Sequence, residues 1–223
     1  MKSLGTLLIL FCSLFFFSSC FQVIEEISVK NDGSGDMQLT FNLSQSKSKL
    51  ASIMLLDSIN GYKVPSEKDI QQYMNETVDF LKKSPGISNI KKSVDLRNYI
   101  FSVSFSFREI ANVNGITQKL VSKQKIKSPG NNYSFEKTAG NFKRIYAHSA
   151  EMKTAYNKLK AKDKEIFKTA GFTSIFRFDK TIASSSNKSS KISPSGKAVM
   201  LKAGAMELIN GTANISTQIQ LNQ

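Results

Sequence analysis

Tyr99-Ile100-Phe101-Ser102-Val103-Ser104-Phe105-Ser106-Phe107 is the most regular stretch of the chain. Tyr99, Phe101, Val103, Phe105 and Phe107 alternate with Ser102, Ser104 and Ser106, and a period of two sends the apolar set to one face of a strand and the serines to the other. The row predicts a half-buried strand of an antiparallel sheet. A line of aromatics could also serve as a ligand platform, but at strand spacing it reads first as core. The strand is the return limb of a hairpin that begins near Ile87.

Upstream, the same signal recurs. Val23, Ile27 and Val29 share one side of an alternating run, and Met37, Leu39, Phe41 and Leu43 share one side of the next. Asn31-Asp32-Gly33-Ser34-Gly35 lies between them and supplies residues that tolerate the turn, so residues 22–43 form a first hairpin. Between the two hairpins, residues 45–59 are helical in character. Ser66 with Asp69 three residues later marks the start of another helix, with Ile70, Tyr73, Met74, Thr77 and Leu81 at helical spacing. Ser84-Pro85-Gly86 ends it.

Downstream, a short helix is expected within residues 109–123, a strand at 133–136, a lysine-rich helix over 149–168 and a strand at 172–178. Residues 184–195 read as a polar loop, followed by strands around Val199 and Ile219 with a short helix between them. Hairpins separated by helices, without strict strand-helix-strand alternation, define an α+β fold: an antiparallel sheet with helices packed mainly on one face. No repeat and no linker divides residues 20–223, which are expected to form a single domain.

The composition restricts the chemistry. The 223 residues carry 31 Lys+Arg against 17 Asp+Glu, a net charge of +14, with one His and two Cys. That is too few ligands for a zinc cluster or a disulfide scaffold. Gly33-Ser34-Gly35 sits in a hairpin turn and opens no helix, so it is no phosphate loop. His148 has no carboxylate placed to orient it, and the neighbouring acids Glu25 and Glu26 point to opposite sides of a strand. No catalytic, metal-binding or cofactor-binding residue is therefore assigned, no cofactor is expected, and the expectation is a protein that is not an enzyme. The basic excess gathers at Lys91-Lys92, Lys119 to Lys127, and Lys153, Lys158, Lys160, Lys162, Lys164 and Lys168. Interspersed Asp163 and Glu165 suit a solvated face, and an anionic surface is the alternative use.

The first twenty residues have another character. Met1-Lys2-Ser3 carries one positive charge, Leu4 to Phe17 is nearly all apolar, and Ser18-Ser19-Cys20 closes the segment. A charged start, an apolar core and small residues before a cut make a secretory signal peptide, expected over residues 1–19. Phe17-Ser18-Ser19-Cys20 resembles the lipobox of bacterial lipoproteins, matching at both small positions and at the cysteine, with Phe17 where Leu is usual. The resemblance implies cleavage before Cys20, a diacylglycerol on its thiol and an acyl chain, such as palmitate, on its amine. Several chains hold a protein far more firmly than one. Cys12 then leaves with the signal peptide.

Residues Cys20 to Leu43, a lipid-bearing cysteine followed directly by a strand, an Asp-Gly turn and a second strand, also resemble LppM-type lipoprotein domains. That family implies no catalytic residues. The expectation is a lipid-anchored protein of the bacterial cell envelope, in the outer rather than the inner membrane, with a binding or scaffolding role. Its partners would be the membrane through Cys20, an anionic lipid or envelope polymer, and a protein partner, but no nucleic acid, since export separates it from any. A carrier of lipid or hydrophobic ligand and an enzyme acting on envelope glycans are the competing readings. Asp57-Ser58-Ile59 resembles the short O-glycosylation site of some exported bacterial proteins, a match that three residues reach easily by chance.

Overall fold

The first strand, β1 (Gln22–Val29), takes the centre of a seven-stranded sheet. The structure, a computed structural model, describes residues 21–59, 62–116 and 130–223. β1 turns through residues 30–34 into β2 (Gly35–Asn42), with Gln22 opposite Asn42 and Val29 opposite Gly35. Asp32 fixes that turn by accepting the backbone N–H and the hydroxyl of Ser34, at 2.9 and 2.7 Å. After a 3-10 turn comes α1 (Lys47–Ile53), then a two-residue ladder of β3 (Ser58–Ile59) with β4 (Tyr62–Lys63). The helix expected over 45–59 is thus shorter, because residues 58–59 turn to pair.

α2 (Glu67–Lys82) begins at the predicted cap: Ser66 Oγ accepts the Asp69 N–H at 3.1 Å, and Asp69 accepts the Ser66 N–H at 2.9 Å. Its Leu81 is fully buried. β5 (Ile87–Asp95) and β6 (Ile100–Phe107) make the second hairpin, with a bulge at Asn89, whose φ is 51°. Tyr99 leaves the alternation. It takes φ 54° in the turn, where its carbonyl accepts the Leu43 N–H at 3.0 Å. β6 keeps the expected faces: Val103, Phe105 and Phe107 are buried and the serines between them are less so.

The chain then forms β7 (Gly130–Glu136) and β8 (Asn141–Ala147), two helices α3 (Ala150–Asn157) and α4 (Ala161–Lys168), and β9 (Gly171–Phe178). The lysine-rich helix expected over 149–168 is two helices with a geometric reason. The rings of Tyr156 and Phe167 meet at 5.6 Å, whereas eleven residues of one helix would hold them about 16 Å apart. β10 (Ile182–Ser185), β11 (Lys191–Ile192), β12 (Ala198–Gly204), α5 (Ala205–Asn210) and β13 (Thr217–Leu221) complete the fold. The polar loop expected over 184–195 contributes edge pairing at both ends. Within residues 109–123 a 3-10 turn, Ile110–Val113, is followed by a helical Ile116, and 117–129 lie outside the described residues.

The larger sheet runs β11-β12-β9-β1-β2-β6-β5, and a four-stranded sheet runs β10-β13-β8-β7. Every pairing is antiparallel except β1 with β9. That parallel pair joins strands more than 140 residues apart, beyond the reach of hairpin logic. The α+β fold is as read from the sequence, with a second sheet sharing the cover over the larger one. Between the sheets, Ile27, Met37, Phe105, Phe176 and Val199 face Phe142, Ile219 and Leu221 in one apolar cluster. Phe142, fully buried, lies 4.9 Å from the Phe176 ring and 5.4 Å from that of Phe178.

Candidate functional site

Three places bear on function: a polar cluster in the core, a trough on the open face of the larger sheet, and the pole where the described chain begins. The first follows from alternation. Glu25 shares its face of β1 with Ile27 and Val29, and Arg144 shares its face of β8 with Phe142, so both charges are driven between the sheets. They are 2% and 1% exposed. Arg144 Nη2 stands 3.3 Å from Glu25 Oε2. Ser174, opposite Glu25 on β9, donates to the same oxygen at 2.6 Å, and Tyr133 donates to Oε1.

The guanidinium also donates to Ser174 Oγ at 2.9 Å, to Asn131 Oδ1 at 3.2 Å and to the Ile215 carbonyl at 3.4 Å. Phe172, Tyr133 and Phe176 surround it, with ring centroids 5.3 to 5.9 Å from its central carbon. Burial, then the Glu25 charge, pushes the Tyr133 hydroxyl well above its usual range and keeps it a donor. Ser174 is fully buried and Tyr133 is 3% exposed, so solutes do not reach the cluster. It cross-links the two sheets. Sequence reasoning separated Glu25 from Glu26 correctly but passed over Glu25 as a core residue, although its place beside Ile27 and Val29 was the signal.

Glu26 lies on the opposite face, where it accepts from Arg177 at 2.7 Å. Ser28, Asp36, Gln38, Ser104 and Ser106 stand beside it along an open trough of about 670 Å³. Ser106 donates to Asp36 at 2.6 Å and accepts from Asn89 at 3.2 Å. The hydroxyl side of the Phe101–Phe107 alternation is thus a polar surface rich in donors and acceptors. His148 stands apart, just beyond β8, with Nε2 3.2 Å from the Ile209 carbonyl. Among the described residues no three His, Cys, Asp or Glu side chains gather to hold a metal ion, and no helix is long and apolar enough to cross a membrane.

Cys20, the one site residue read from the sequence, and the segment 1–19 lie outside the described residues. The chain beside it is anchored at once. The Phe21 carbonyl accepts the Gly171 N–H at 3.0 Å, and its ring meets Phe167 edge-on at 5.7 Å. Phe167 meets Tyr156 in turn, and Lys164 Nζ sits 5.3 Å over the Tyr156 ring. The helices α3 and α4 are therefore fastened around the first described residue. Asp57 and Ser58 are both exposed.

Fold and site together define a two-sheet α+β protein with a buried ionic cross-link, a polar open face and a lysine-rich end where its N-terminal strand enters. Among solved structures, the chain is similar to the folded domain of the Mycobacterium tuberculosis LppM protein, determined by NMR, with 12% sequence identity, 93% of this chain and 92% of that one covered, and a TM-score of 0.43. No family model matches the sequence, and no curated protein matches it.

Proposed function

We propose that this chain is a lipoprotein of the bacterial cell envelope, exported by residues 1–19, held in a membrane by acyl chains on Cys20, and acting by binding or scaffolding rather than by catalysis. The observation that carries the reading is the position of β1. The central strand of the larger sheet begins at Gln22, two residues after the lipobox-like Phe17-Ser18-Ser19-Cys20. A domain tethered there rests on the bilayer without a stalk. The open face offers the contact surface: Ser28, Gln38, Ser104 and Ser106 line the trough with hydroxyl and amide groups suited to a polyhydroxylated envelope polymer. The outer membrane is the proposed location.

Replacement of Cys20 by Ala tests the anchor. Fractionation of cells producing the full chain should show the wild type in the membrane, banding with outer-membrane markers, and Cys20→Ala in the soluble fraction. Cys20→Ala protein that stays in the membrane after alkaline washing would refute the anchoring.

A further inference from the structure

We infer that the pole of the domain around Phe21 lies flat on an anionic phospholipid leaflet, with Leu55 and Leu56 in the headgroup zone and lysines of α1, α3 and α4 over the lipid phosphates. The inference rests on the proposed attachment through Cys20 and adds to it a fixed orientation and a lipid preference.

The sheet register defines the pole. Gln22 is level with Asn42 on β2 and with Gly171 on β9, Asn42 is level with Ile100 on β6, and Gly171 is level with Gly204 on β12. The described segments at this edge are therefore residues 43–59 and 62–66 after β2, the 96–99 turn between β5 and β6, the end of α4 where it leads into β9, and the start of α5. Residues 43–59 lead out of β2, and from Ser66 α2 starts down toward Leu81 and the opposite pole. Leu55, 87% exposed, and Leu56, 51% exposed, lie within that excursion, and Phe41, 45% exposed, is the last but one residue of β2 before it. Leaving two adjacent leucines in water is unfavourable unless something apolar meets them.

The charges around them have one sign in excess. Lys47 and Lys49 on α1 are exposed, as are Lys153 on α3 and Lys158 and Lys160 in the turn to α4. Several carboxylates at this end are already engaged. Glu165 pairs with Lys168 at 2.7 Å, Glu207 caps α5 by accepting the Gly204 N–H at 2.7 Å, and Asp95 accepts from Asn98 at 2.9 Å. Exposed leucines flanked by lysines are the composition of a surface that sits at a bilayer interface, where the apolar groups enter the headgroup layer and the ammonium groups meet anionic lipid. Phe21, fastened to Phe167, delivers the tether into the middle of that surface.

The test uses the full chain, purified from membranes in its processed form and reconstituted into phosphatidylcholine vesicles with or without phosphatidylglycerol. A fluorophore on Leu55→Cys should shift to the blue and be quenched by headgroup spin-labelled lipid in the anionic vesicles. The same fluorophore on Ser34→Cys, in the turn at the far pole, should do neither. Lys47→Gln with Lys49→Gln should lower the docked-to-undocked ratio, obtained from the quenching at position 55, by about fivefold per lysine lost, and high salt should lower it as well. Equal quenching at positions 34 and 55, or at position 55 in both lipid mixtures, with the protein still vesicle-bound, would overturn the docking surface while leaving the anchor intact. A wild-type Cys20 thiol that remains open to maleimide would overturn the anchor, and the docking with it.

Discussion

The cross-link between the sheets allows a sharp stability prediction. Replacing Arg144 by Met removes the cation that faces Glu25 at 3.3 Å and leaves that carboxylate buried with only the Tyr133 and Ser174 hydroxyls. Removing one partner of a buried ion pair costs about 3–5 kcal/mol. For a domain of this size each kcal/mol moves the melting temperature by about 2–4 °C, so the expected loss is about 6–20 °C. Glu25→Leu should cost a similar amount, because it strands the guanidinium among Phe172, Tyr133 and Phe176. The double variant Glu25→Leu, Arg144→Met has no stranded charge. It leaves two hydroxyls without their acceptor, at about 1–3 kcal/mol each, so between the midpoints of these ranges its cost should fall about 4 kcal/mol short of the sum of the singles. Urea unfolding followed by circular dichroism measures all four corners of the cycle. Additive singles, or an Arg144→Met cost below about 1 kcal/mol, would show that the pair does not hold the sheets together.

Gly35→Ala should be more damaging than its small volume suggests, since a Cβ there would lie 1.9 Å from the Ser28 carbonyl oxygen and 2.7 Å from the Phe107 ring. A loss of at least about 2 kcal/mol in thermal or urea unfolding is expected, and a neutral outcome would contradict the tight first hairpin. The cap of α2 should be acid-sensitive. The Ser66 backbone N–H, the Lys63 ammonium and the Ser66 hydroxyl hold the Asp69 carboxyl down at about 2, below its usual 3.8. A lowered folded-state value means that the stabilisation is present above the ordinary carboxylate range and is lost as pH falls toward 2. The protection of the amides in the first turn of α2, taken as exchange relative to the unstructured rate at each pH, should therefore fall over that interval in the wild type and be low and nearly pH-independent in Asp69→Ala. Wild-type protection that holds unchanged down to pH 2 would refute the cap.

Much of the fold was legible because alternation and capping are local. The Phe101–Phe107 strand, both hairpins and the Ser66–Asp69 cap could be read from neighbours a few residues away. What local pattern could not supply was the meeting of distant segments. The parallel pairing of β1 with β9 has no turn to announce it, and the break between α3 and α4 follows from a ring contact that one straight helix cannot make. Glu25 stands in the apolar row of β1 with Ile27 and Val29, yet only the juxtaposition of β1 and β8, a strand the local pattern did not mark, brings Arg144 to it. Likewise, the contact of the Phe21 ring with Phe167 joins segments nearly 150 residues apart, which no local pattern announces. Tyr99 shows the converse: a pattern matched its residue type while the backbone needed it in a turn.

The central claim is that Cys20 becomes the lipidated first residue of the mature protein. Intact-mass and N-terminal peptide mass spectrometry of the protein isolated from its own membranes tests it most directly. The account predicts a chain lacking residues 1–19 that begins at Cys20 and carries a diacylglycerol on the thiol with an acyl group on the amine. A mature chain that retains residues 1–19, or begins elsewhere with Cys20 unmodified, would contradict it.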